Sequence, residues 1–77
     1  MQLGGNIIMI KTILKNNELA SLIVKNGDTQ VSFSDKIGIT ATGLRKILNK
    51  EINPSPITAK KICDILECKF DDIFTIG

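Results

Sequence analysis

Thr42 and Lys46 stand four residues apart, with Arg45 between them and Thr40 and Ala41 just ahead. On a helix that spacing puts Thr42 and Lys46 on one face. Side chains of these types make reversible contacts: a cationic group to an anionic oxygen, a hydroxyl to a donor or acceptor, a methyl to an apolar surface. Covalent chemistry is poorly served. The chain has no histidine, so a serine or cysteine nucleophile lacks its usual base. It has no glycine loop of the phosphate-cradling kind and no metal-ligand cluster. Cys63 and Cys68 are the only two cysteines, whereas a zinc site needs about four ligands. Binding is therefore the expected chemistry. No enzyme activity, cofactor, metal or small-molecule ligand is implied.

The elements that must hold those residues run from Gln30 to Asn49, QVSFSDKIGITATGLRKILN. Phe33 and Ile37 share one face of a first helix, and Leu44 and Ile47 share one face of a second. Ile39 is the apolar plug between them. Ser34 is small where the helices must cross. Gly38 lets the corner adopt a left-handed backbone without a Cβ penalty. Thr40 can cap the second helix through its hydroxyl. Two helices joined by a short, glycine-containing turn form a helix-turn-helix pattern.

Seventy-seven residues make one domain near the lower limit for a self-sufficient core. The longest aliphatic run, Ile7 to Ile10, is far too short to span a membrane. No basic region precedes it, so no signal peptide is expected, and a soluble cytoplasmic protein is the default. In such a reducing compartment the two cysteines read as small buried thiols, with a disulfide as the alternative.

Residues 1–6 read as a flexible leader and residues 7–77 as the domain, with either Met1 or Met9 as the natural start. Ile7 to Leu14 is rich in β-branched residues and reads as a strand, with helix the alternative for so short a run. Its only candidate partner is Phe74-Thr75-Ile76, which predicts that the two ends of the chain pair. Asn16 or Asn17 caps a helix running to about Asn26, with Leu19, Leu22 and Ile23 inward and Asn26-Gly27 as the stop. Thr29 caps the helix from Gln30 to Ile37, and Ala41 to about Leu48 follows. Gly43 inside it serves close helix packing or close approach to a partner. Ser55-Pro56 opens a fourth helix, whose buried stripe is Ile62, Ile65 and Leu66 with Cys63 flanking. Lys69 to Phe74 gives a last short helix with Phe70, Ile73 and Phe74 inward. Asp71 and Asp72 lie in its first turn, where the helix dipole favours negative charge. Being adjacent, they face different directions and do not form a catalytic pair.

Charge is uneven along the chain. Residues 30–61 carry +4, residues 1–29 carry +1 and residues 62–77 carry −3. The positive potential therefore sits on the helix-turn-helix segment, where a polyanion would want it. The plain alternative is a solvated charged face, which is the ordinary fate of Lys36, Lys50, Lys60 and Lys61 taken singly.

These residues resemble the Cro/repressor-type helix-turn-helix family, the xenobiotic-response-element type, of phages and bacteria. The resemblance runs from about Leu19 to Phe74. It rests on Gly27-x-Thr29-Gln30, Phe33-Ser34…Ile37-Gly38-Ile39, Leu44…Ile47, Pro54-Ser55 and Ile62…Leu66…Asp72-Ile73. The ending is similar to a compact subgroup in which a strand precedes the helices. The resemblance implies a mainly α, five-helix repressor-like DNA-binding domain, here with a short N-terminal strand paired with the C-terminal residues. It implies that the third helix enters the major groove of double-stranded DNA. Carried over by position, Thr40, Ala41, Thr42 and Lys46 match base or nearby phosphate contacts, and Gln30 matches a phosphate contact at the start of the second helix.

Three positions depart from the family pattern. Lys50 stands where glycine often follows the recognition helix, so either Asn49 is left-handed or the helix ends differently. Ala59 replaces a large aliphatic in the fourth helix, which predicts a thinner core there. Lys69 replaces the small polar cap of the last helix.

On this reading Lys46 contacts a guanine, Arg45 reaches the backbone, Ala41 and Thr42 offer methyl groups to thymine, and Lys50 belongs to the same DNA-binding set. The expected function is a small sequence-specific DNA-binding transcriptional regulator, a homodimer at least on DNA. The alternative is a helical protein-interaction module that keeps the fold without the DNA. Salt-dependent DNA affinity separates the two.

Overall fold

The computed structural model describes residues 11–15 and 17–77. The leader assigned to residues 1–6, the Ile7–Ile10 part of the expected strand, and Asn16 lie outside the described residues. The order is strand β1 (Thr12–Leu14), helices α1 (Glu18–Lys25), α2 (Gln30–Ile37), α3 (Ala41–Leu48), α4 (Pro56–Leu66) and α5 (Phe70–Ile73), and strand β2 (Phe74–Ile76). Among the described residues, five helices and one small antiparallel sheet make the mainly α architecture expected from the sequence.

The helices begin where polar side chains satisfy their free N–H groups. Thr29 accepts from the Ser32 N–H at 3.1 Å, Thr40 from the Gly43 N–H at 2.9 Å and Ser55 from the Thr58 N–H at 3.2 Å. Pro56 takes the first position of α4, where no amide hydrogen is needed. The other two starts lack such a bond. Asn17 precedes α1 without a capping bond from its side chain. Lys69 cannot accept one, and Asp72 reaches back to take the Lys69 N–H at 3.2 Å instead.

The first four helices all end alike. Gly27, Gly38, Lys50 and Glu67 each have positive φ. Each donates its N–H to the carbonyl three residues back, and the next residue donates to the carbonyl five back: Asp28 to Ile23, Ile39 to Ser34, Glu51 to Lys46, and Cys68 to Cys63. This is the Schellman termination, which satisfies carbonyls that a helix end would otherwise strand. It also corrects the expectation for α3. Asn49 keeps a φ of −84° and closes its own bond to Arg45, so the left-handed residue is Lys50, at φ 63°.

The core is built from pairs supplied by successive helices. Leu19 and Ile23, Phe33 and Ile37, and Leu44 and Ile47 are buried, and Ile62, Ile73 and Phe74 close the far side. Truncating a side chain as enclosed as Phe33 costs about 3–5 kcal/mol, a large share of the total stability of a small domain. On α4 the buried residues are Ala59, Ile62 and Cys63, whereas Ile65 and Leu66 are only half-buried. The expected stripe is thus rotated toward Cys63, and the small Ala59 is fully enclosed rather than leaving α4 loose.

The two ends of the described chain do pair. Thr12 faces Ile76, Ile13 faces Thr75 and Leu14 faces Phe74, with Lys11 and Gly77 exchanging two backbone bonds of 2.9 Å. Phe74 is therefore a strand residue. It leaves the helical path because its extended backbone (φ −120°, ψ 160°) lets it pair with Leu14. Its ring remains buried, 5.4 Å from that of half-buried Phe70.

Two outcomes follow. Lys50→Gly and Glu67→Gly should each stabilise the fold by about 0.5–1 kcal/mol in urea titration. Relief of a left-handed L-residue, about 1–2 kcal/mol, exceeds the added backbone freedom of glycine, about 0.5–1 kcal/mol. Burial and then the neighbouring Cys68 push the Cys63 thiol up to about 11. Its alkylation by iodoacetamide in the native protein should therefore be slow near neutral pH and should accelerate as pH climbs toward 11.

Candidate nucleic-acid interface

Helix α3 is anchored by its underside. Leu44 is 0% exposed and Ile47 3%, so the helix cannot roll without baring them. Fixing those two fixes the opposite face. Thr42, Arg45 and Lys46 are exposed, Thr40 stands exposed at the N-terminus, and Ala41 is half-buried beside it. Arg45, Lys46 and Lys50 have no carboxylate partner among the described residues. The sequence-predicted set is therefore brought together along one helix and its C-terminal turn, with its cations available to an outside anion.

Gly43 lies inside this helix for a local reason. Beyond the helix's own nearby backbone, the described atom that a Cβ built there would meet within 4 Å is Thr40 Oγ1, at 3.1 Å. Close packing against another helix is not what it serves. A side chain would instead press on the hydroxyl that caps α3.

Gln30 is exposed at the start of α2 and lines a cleft of about 280 Å³. Asn17 and Asn49 share the rim with it, and Leu14, Leu19 and Leu48 form the apolar floor. Three carboxamides from the turn before α1, the start of α2 and the end of α3 thus surround one depression. Of these three, sequence alone points only to Gln30. Asn17 looks like a cap and Asn49 like a turn residue, because nothing local in sequence shows that the two lie together. Lys61, by its type and place in the sequence, is likewise an ordinary solvated side chain. Its Nζ comes within 3.9 Å of a Cβ built on Gly38, which places a further cation at the corner between α2 and α3.

A helix-turn-helix family model matches residues 19–73, which covers α1 through α5. The chain belongs to the Cro/repressor-type helix-turn-helix family. No curated protein and no solved structure matches it. As a member of that family it is a DNA-binding helix-turn-helix regulator. Among its described residues no helix is long and apolar enough to cross a membrane.

In this helix-turn-helix regulator the entry to α2 is held by a buried carboxylate. Asp28 is 8% exposed and accepts from Asn26 Nδ2 at 2.8 Å and Ser32 Oγ at 2.9 Å. Lys36 Nζ lies 2.8 Å from its Oδ1 and 3.0 Å from its Oδ2. Ser32 Oγ also accepts the Thr29 N–H at 2.9 Å, so the carboxylate and the cap of α2 form one network. Lys36 is thereby committed within the fold, whereas Lys60 meets Asp64 at 3.1 Å in an exposed pair. The ammonium of Lys36, helped by Asn26, holds the Asp28 carboxyl below the usual carboxylate range.

That shift has a defined sign. Asp28 binds its proton less readily folded than unfolded, so its ionised form favours the fold. The contribution is complete above the unfolded value of about 4 and disappears as pH falls through the lower folded value. Urea midpoints should therefore drop on acidification below about pH 4, and Asp28→Asn should flatten that acid limb while lowering the midpoint at neutral pH.

Proposed function

We propose that the protein is a sequence-specific regulator that reads double-stranded DNA by laying α3 in the major groove. The observation that carries this reading is the division of α3 into an apolar anchor, Leu44 and Ile47, and an exposed polar face bearing Thr42 and Lys46. A helix about 10–12 Å across fits the major groove, whose edges carry a distinct pattern for each base pair. Lys46 donates to guanine O6 and N7. Thr42 offers a hydroxyl to a base edge and, with Ala41, a methyl to thymine. Thr40, at the N-terminal end of α3, lies beside the first base or its phosphate.

Affinity comes from the phosphates that flank the groove. Arg45 and Lys50 supply cations on either side of Lys46. Gln30, with Asn17 and Asn49 around the cleft, supplies amide donors to a phosphate oxygen at the start of α2, where the helix dipole adds favourable potential. The face offers few bidentate donors, so shape readout contributes to sequence choice. A domain this small covers little DNA, which favours a homodimer spanning two half-sites. On this reading the protein works where the DNA of a cell without a nucleus lies, in the cytoplasm.

Selection of bound duplexes from random DNA, followed by mobility shift, tests the reading. Lys46→Ala should weaken binding by about 1–3 kcal/mol and relax preference at one base pair. Lys50→Ala should weaken all sequences alike and reduce the salt slope by about one phosphate. Lys60→Ala, whose ammonium serves Asp64, should change neither. Equal binding by all three variants would remove the assigned contacts. Negligible affinity even at low salt, with stable capture of a defined protein ligand, would identify an interaction module instead.

A further inference from the structure

Helix α4 ends in a pair of thiols. Its left-handed residue, Glu67, turns the chain back so that Cys68 donates its N–H to the Cys63 carbonyl at 3.1 Å. The two residues that share this bond in a Schellman ending are also the ones whose side chains meet. Standard bond lengths then keep their Cα atoms within about 7 Å of each other, inside the reach of a disulfide. The thiols themselves are hydrogen-bonded, with Cys63 donating to the Cys68 sulfur.

The pair is also graded in access. Cys63 is 5% exposed and belongs to the core, whereas Cys68 is half-buried at its rim. A reagent therefore meets Cys68 first and finds Cys63 waiting beneath it. Among the described residues no cluster of three or more metal-ligating side chains includes either sulfur. Neither lies on α3, so DNA binding makes no use of them.

We propose that Cys63 and Cys68 are a reversible redox clasp, which a small-molecule disulfide oxidises to an intramolecular disulfide that fastens the end of α4 to the turn entering α5. The Cys68 thiolate attacks one sulfur of the small disulfide and releases its first thiol. Cys63 then gives up its proton and attacks Cys68 Sγ, and the second thiol leaves. The two protein sulfurs are oxidised, the small disulfide is reduced to two thiols, and the two protein protons pass to those products through water. Because the sulfurs already touch, the fold does not rearrange, and the new bond constrains the unfolded chain more than the folded one. Burial raises both thiols above their ordinary range, so the exchange is slow and the clasp follows the standing thiol–disulfide balance rather than brief bursts of oxidant. None of this requires DNA, and the clasp stands or falls apart from the DNA reading.

The test treats the folded full chain with cystamine, a cationic disulfide suited to a stretch where residues 62–77 carry −3, and follows intact mass. The protein should lose two hydrogens and retain no adduct, and dithiothreitol should restore it. Oxidation should raise the urea midpoint and slow exchange of the Cys68 amide, which the closed ring holds against the Cys63 carbonyl. Cys63→Ala should stop at a mixed disulfide on Cys68. Cys68→Ser should stay unmodified while folded, and its urea midpoint should not respond to cystamine. Since Cys68 sits at the rim, that variant carries the test even should Cys63→Ala fail to fold.

A mixed disulfide that persists on Cys68 of the unsubstituted protein overturns the proposal. So do closure that occurs only in urea, covalent joining of two copies in place of closure, and a urea midpoint that falls on oxidation.

Discussion

The burial of Leu44 and Ile47 against the cluster holding Phe33 and Ile37 is the interaction on which the rest of the protein depends. Helix α3 is eight residues long, too short to be stable in water by itself. It exists because its apolar stripe is enclosed, and that same enclosure decides which residues face out. Stability and function are therefore coupled through one rotation angle. Turning α3 by one residue position would bury part of the polar face and expose part of the anchor, losing both at once.

The corner between α2 and α3 sets the second constraint. Gly38 provides the left-handed step, Ile39 donates back to Ser34, and Ser34 is buried with its hydroxyl donating to the Val31 carbonyl at 2.7 Å. A larger residue at Ser34 would push the two helices apart and shift every outward group on α3. At the other end of α2, the Asp28, Thr29 and Ser32 network fixes where that helix begins, and hence where Gln30 stands. The buried carboxylate is not without consequence for binding. It places a negative charge near a helix start that favours anions, and the bonds from Lys36 and Asn26 offset it.

The four equal helix endings share one backbone solution among different side chains. At Gly27 and Gly38 that solution is conformationally cheap, but at Lys50 and Glu67 it is held against the preference of L-residues. Strain of this kind persists where the surroundings over-determine it. At Lys50 it places a cation just past the polar face of α3, where glycine would supply none. At Glu67 it brings Cys68 back over Cys63, so the two thiols lie together at the end of α4 without being joined.

Much of this was legible in the residues themselves. The period of Phe33, Ile37, Leu44 and Ile47, the caps at Thr29, Thr40 and Ser55, and the glycines at 27 and 38 are local signals. Each acts within one turn of helix, so sequence alone determined the helices, the caps of α2, α3 and α4, and the outward set Thr42, Arg45 and Lys46. Pairing of the β1 and β2 segments could be inferred because each lacked any other partner. What only the tertiary structure decided were relations between distant residues: Asn17 and Asn49 sharing a cleft with Gln30, Lys61 reaching the Gly38 corner, and Lys36 bound to Asp28. The left-handed step at Lys50 and the capture of Phe74 by β2 belong with these. A backbone choice of about 1 kcal/mol between neighbouring residues is too small to read from their types, and it is settled by which carbonyls and which strand lie within reach once the core has formed.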